Sequence, residues 1–180
     1  ISKKNMSDQP IVSLVSDDEI QGPAKELFAK MTKAQGGVPK WMRVMANCDD
    51  ILMPFFGMFK STMDDSPLNQ TLKWKVAMLV SKINECTYCV SVVESKLKGF
   101  GLTDEQIKSV TEEPADDRER LAFEFAKNAT QKAYNMDVDL IEQVKKEFSE
   151  CEIVELTAVV GLFSYINRFN DALNILPDID

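Results

Sequence analysis

Two cysteines separated by two residues, Cys86 and Cys89 in Asn84-Glu85-Cys86-Thr87-Tyr88-Cys89-Val90, are the side chains in this sequence best suited to covalent chemistry. On a helix they lie about 60° apart around the axis and about 4.5 Å apart along it, so both thiols share one face. That spacing permits a disulfide between them. At the start of a helix, the unpaired backbone N–H groups and the positive end of the helix dipole also favour the thiolate.

The pair admits three readings. A closed zinc site needs four sulfur or nitrogen ligands, and only Cys48 and Cys151 remain as partners in a chain with no histidine. Small buried hydrophobes are the second reading, because cysteine is among the most buried residue types. A redox dithiol is the third, and spacing, helix position and compartment favour it. Tyr88 and Glu94 are candidate supporting residues: a tyrosine can donate a hydrogen bond to a leaving oxygen, and Glu94 is the first carboxylate after the pair. Glu94 nevertheless points about 140° away from Cys89, and Lys96, at a better angle, lies about 10 Å along the axis. No metal and no cofactor is expected.

The elements that must position the pair read as helices throughout. Pro23 to Ala34 carries a short apolar stripe that stops at Gly36-Gly37, and Trp41 to Ala46 forms a second, short helix. Asp49 or Asp50 is expected to cap a third, with Pro54 delaying its start. Ser66-Pro67 reads as an N-cap followed by proline at the first helical position, and Leu72, Val76, Leu79, Val80 and Ile83 carry an apolar face up to the cysteines. The pair then opens a new helix after a tight turn, and this helix ends at Gly99 and Gly101. Thr103 with Gln106 and Ser149 with Glu152 have capping-box spacing. Pro114 to about Ala133 and Leu140 to Phe148 mark two further helices. Ile153 to Leu173 has the strongest 3.6-residue period in the chain.

No segment alternates polar and apolar residues between turn signals, so the expected fold is all-α, a multi-helical bundle. Residues 1–16 are expected to form an extended arm and 17–180 a single domain. The Phe55-Phe56-Phe59 cluster and Trp74 read as packing residues, Glu112 to Arg120 as a solvated charged face, and Asn167, Arg168 and Asp171 as a structural polar cluster.

Among the 180 residues, 21 Lys and Arg stand against 29 Asp and Glu, a formal net charge of −8. That balance argues against a nucleic-acid or anionic-membrane surface. The apolar runs are too short to cross a bilayer, and the first residues lack the apolar segment of a signal peptide, so a cytoplasmic location is the expectation.

The residues around the pair, together with Lys98-Gly99-Phe100-Gly101-Leu102-Thr103, Glu152-Ile153-Val154-Glu155-Leu156-Thr157 and Tyr165-Ile166-Asn167-Arg168-Phe169, resemble the alkylhydroperoxidase D-like, carboxymuconolactone decarboxylase superfamily. The resemblance spans roughly Gly37 to Leu173. It implies an all-helical, homo-oligomeric protein. In the peroxidase branch it also implies reduction of a hydroperoxide or disulfide substrate by the two cysteines, with reducing equivalents from a dithiol partner. There Cys89 would attack and Cys86 would resolve, whereas the local dipole argument favours Cys86 as the thiolate. That branch carries a glutamate twelve residues before the first cysteine and a histidine four after the second as a proton relay. Here those positions are Trp74 and Val93. Their loss raises a second expectation, a helical binding or oligomerisation module without catalysis. The superfamily name raises a third, a lactone decarboxylase-like activity.

Overall fold

The computed structural model describes residues 9–177, and every regular element among them is helical. These residues divide into two compact units, 9–61 with 170–177, and Thr62–Phe169. Residues 1–8 of the expected arm lie outside the described residues. Residues 9–16 have no helix, and the Ile11 N–H donates to the Leu173 carbonyl at 3.0 Å.

The first unit grows from three helices. Helix α1 (Gly22–Gln35) carries Pro23 in its first turn and stops at Gly36, whose φ of 80° is the left-handed conformation that glycine adopts without strain. Its buried face carries Ala24, Leu27 and Phe28, and the Arg43 guanidinium sits 5.4 Å from the Phe28 ring centre and pairs with Asp17 at 2.9 Å. Helix α2 (Lys40–Met45) buries Trp41, Met42, Val44 and Met45. Helix α3 (Asp49–Met63) brings Phe55 edge-on to Trp41 at 5.5 Å, with Phe59 at 5.7 Å. Asp49 and Asp50 do not cap α3. They occupy its first turn, where carboxylates favour the dipole, and the Cys48 carbonyl accepts the N–H groups of Ile51 and Leu52. Pro54 lies inside α3 and does not delay its start: its fixed φ of about −65° is helical, and it removes one intrahelical bond, that of its own nitrogen.

The second unit holds the cysteines. Helix α4 (Gln70–Ile83) is capped by Asn69, whose side chain accepts from Leu72 N–H at 3.2 Å, and not by Ser66. The Ser66 hydroxyl is engaged by the Lys73 ammonium at 2.6 Å. Lys73 is fully buried; it also donates to the Asp64 carbonyl at 2.9 Å and lies 3.7 Å from Glu155. Helix α5 (Thr87–Gly99) packs on α4, and α6 (Asp104–Ser109) opens with the Thr103–Gln106 capping box.

Helix α7 (Asp117–Lys132) starts at Asp116, packs on α4, and is followed by a 3-10 turn, Ala133–Asn135. Most acids of the charge run from Glu112 are exposed, but Glu119 is buried and pairs with Lys75 at 2.7 Å. Helix α8 (Val138–Glu147) is capped by Asp137. The Ser149–Glu152 capping box then begins α9 (Glu150–Ala172), which turns Leu156, Val159, Leu162, Phe163 and Ile166 inward. Arg168 donates to the Ser164 carbonyl at 2.7 Å, a bond within its own helix.

Candidate functional site

The two cysteines meet the chain at a helix-to-helix elbow with almost no linker. Asn84 ends α4, and Glu85 follows in the left-handed region at φ 58°. Its N–H donates to the Lys82 carbonyl at 3.1 Å, and the Cys86 N–H donates to the Ser81 carbonyl at 3.0 Å. These are the paired bonds of a Schellman motif, which satisfy carbonyls left open at a helix end. Cys86 is at once the last residue of that motif and the N-cap of α5, and its own carbonyl accepts from Val90 N–H at 3.0 Å. Cys89 therefore falls at the third position of the helix, one turn above Cys86.

Both thiols face inward. Cys86 is 0% exposed and Cys89 4%, whereas Cys48 and Cys151 are at the surface. Tyr88 is buried beside them in the first turn. Glu94 is exposed. It lines an open cavity of about 380 Å³ on the other face of α5, with Lys82, Glu85, Thr87, Val90 and Ser91. The structure thus keeps Tyr88 on the buried side with the pair and places Glu94 elsewhere. Among the described residues, no group of three or more Cys, Asp or Glu is arranged to hold a metal ion.

The relay positions are core. Trp74 is 5% exposed and meets Phe163 edge to face at 5.9 Å, and Val93 is fully buried one turn beyond Cys89. Neither side chain can accept a proton.

A polar chain not anticipated from the sequence stands next to the elbow. Asn167 of α9 donates from Nδ2 to Ser81 Oγ at 3.1 Å and accepts at Oδ1 from Asn84 Nδ2 at 2.9 Å. Asn167 and Ser81 are both fully buried. The signal that could have found them is a serine and an asparagine placed within otherwise apolar helix faces, where an amide is stable only if it is hydrogen-bonded.

An all-helical chain in which a Cys-x-x-Cys pair opens one helix directly from the end of another has the alkylhydroperoxidase D-like fold. The structure is similar to an uncharacterized peroxidase-related protein from Silicibacter sp. TM1040, with a TM-score of 0.87 and 21% identity over 98% of this chain and 96% of that one. It is similar to a second such protein, described as an alkylhydroperoxidase AhpD core, from Ralstonia eutropha JMP134. There the TM-score is 0.86 and the identity 16%, over 94% and 92% of the two chains. The debrominase Bmp8 shares the fold at a TM-score of 0.81 and 22% identity, over 96% and 94%. In sequence, the chain is 28% identical over 114 residues to the uncharacterized protein YnjA of Escherichia coli K12. That match spans 61% of this chain and 63% of the E. coli protein. No family model matches the chain. Among the described residues no helix is long and apolar enough to cross a membrane.

Proposed function

We propose that this protein is a cytoplasmic, homo-oligomeric thiol–disulfide oxidoreductase that reduces hydroperoxides with Cys86 and Cys89. The observation that carries the reading is the placement of Cys86 at the N-cap and Cys89 in the first turn of α5, both at the positive end of the helix dipole. A fold shared with peroxidase-related proteins adds to it.

The chemistry balances within the pair and its substrate. One thiolate attacks the outer oxygen of ROOH, the O–O bond breaks, and ROH leaves with a proton while the sulfur becomes a sulfenic acid. The second thiol displaces water from that sulfur and a disulfide forms. The dithiol loses two hydrogens and the peroxide gains them. An external dithiol then exchanges with the disulfide and returns the pair to thiols, itself becoming oxidised. Burial of both sulfurs means that the elbow must open to admit the peroxide. With Trp74 and Val93 at the relay positions, the proton for ROH comes from solvent or from the second thiol, so turnover is slow.

Peroxide titration of the reduced protein, followed by peptide mass measurement, is expected to show loss of two hydrogens localised to Cys86 and Cys89. Thiols left intact at millimolar hydrogen peroxide and at millimolar organic hydroperoxide refute the reading. A fold does not fix a substrate. The two fully apolar relay positions favour a second reading, a helical binding module that has given up catalysis. The Cys86→Ser, Cys89→Ser double variant separates the two: a binding module keeps its cellular role without the thiols, and an oxidoreductase loses it.

A further inference from the structure

Asn167 grips two residues of the turn that places Cys86, Ser81 and Asn84. Its donor holds Ser81, whose carbonyl accepts the Cys86 N–H at 3.0 Å. Its acceptor holds Asn84, the C-cap of α4, whose N–H donates to the Val80 carbonyl at 3.0 Å. One side chain of α9 therefore ties together residues 81 and 84 of the segment that closes on residue 86. Asn167 is held through both its amide nitrogen and its amide oxygen, which fixes the orientation of the buried side chain. An apolar pair at 81 and 167 would fill the same space at little cost, so core packing alone does not account for the amide.

We propose that Asn167 is a positioning residue for the dithiol: through Ser81 and Asn84 it fixes the elbow and so sets the equilibrium between the dithiol and the disulfide of Cys86 and Cys89. The inference rests on the redox reading above. Cys86 and Cys89 already have a spacing that permits a disulfide, so the elbow acts through the thiolate: pinned by Asn167, it keeps Cys86 at the N-cap of α5, where the positive end of the helix dipole stabilises a negative sulfur. Stabilising the thiolate favours the reduced pair. Loosening the elbow removes part of that stabilisation, so the disulfide gains.

The experiment equilibrates the full chain with defined ratios of reduced and oxidised glutathione and reads the dithiol and disulfide fractions by alkylation and mass measurement. Asn167→Leu, near-isosteric and apolar, is expected to shift the equilibrium constant toward the disulfide by about tenfold, about 30 mV for a two-electron couple. A wild-type equilibrium constant in a folded Asn167→Leu protein, whatever its thermal stability, makes the residue merely structural and overturns the proposal. Should that variant fail to fold, Asn84→Ala decides. Asn84 is half-buried at the helix end, and its loss frees one end of the turn, so an unchanged constant there overturns the proposal equally. A wild-type pair that never forms the disulfide refutes the redox reading itself and this inference with it. A wild-type pair that cycles normally while both variants match it refutes only the role of Asn167.

Discussion

Replacing Glu85 by glycine is expected to stabilise the protein, although the substitution removes a side chain. Glu85 holds φ 58° between Asn84 and Cys86 and is exposed. An L-residue in the left-handed region pays roughly 1–2 kcal/mol for the approach of Cβ to the backbone. Glycine pays nothing there, but costs the folded state about 0.5–1 kcal/mol through the greater freedom of the unfolded chain. The difference leaves a net gain of about 0.5–1 kcal/mol, which corresponds to a Tm higher by about 1–4 °C for a chain of this size. Urea unfolding of wild type, Glu85→Gly and Glu85→Ala at pH 7 measures it. Alanine keeps Cβ and so keeps the strain, and it should give no gain. If Glu85→Ala stabilised as much as Glu85→Gly, the benefit would come from losing a carboxylate in an acidic protein, and the backbone argument would be wrong. A destabilised Glu85→Gly would refute it outright.

Other consequences are as direct. Asn69→Ala removes the cap that holds Leu72 N–H and should cost about 1 kcal/mol in urea unfolding, with Pro67→Ala leaving the start of α4 in place. Trp74→Ala opens a cavity against Phe163 and should cost about 3–5 kcal/mol, a loss expected of a core residue; calorimetry reads it. For Glu152, burial alone would raise the carboxyl, but the backbone and hydroxyl of Ser149 and the Arg118 guanidinium outweigh it and hold it below its usual 4.5. A carboxyl lowered in the folded state adds stability above its unfolded value and loses it as the pH falls through the lowered one. The Tm difference between wild type and Glu152→Gln should therefore be present at neutral pH and fade below about pH 4.5. A difference that did not vary with pH would show that the ion pair contributes nothing.

Local rules carried most of the helix boundaries. Gly36, the Thr103–Gln106 and Ser149–Glu152 boxes, and the inward stripe of α9 are where short-range chemistry and packing agree, and there the structure follows the pattern. The starts of α3 and α4 went otherwise because several residues competed for one role. Ser66 had the right neighbour in Pro67 but lost its hydroxyl to Lys73, a lysine whose burial no local signal announces. The same limit applies at the site. The pair itself was legible from residue type and spacing. The left-handed turn was not, because it falls on a glutamate and not on a glycine, and the Asn167 chain was not, because its members lie 83 and 86 residues apart.

The residues around the thiols also restrict where protons can come from. Trp74 and Val93 are sealed into the core, Glu94 faces the opposite side of α5, and the chain holds no histidine. That leaves the thiols themselves as the nearest acidic groups within the Cys-x-x-Cys segment. The second cysteine lies one helical turn from the first and carries an exchangeable proton, so it is the expected donor. If that is so, blocking either cysteine slows the first oxidation as well as the closure of the disulfide. A Cys86→Ser or Cys89→Ser protein should then form sulfenic acid more slowly than the pair forms its disulfide, with stopped-flow loss of peroxide as the measure. Equal first-step rates in wild type and in whichever single variant keeps the attacking sulfur would assign the proton to solvent instead.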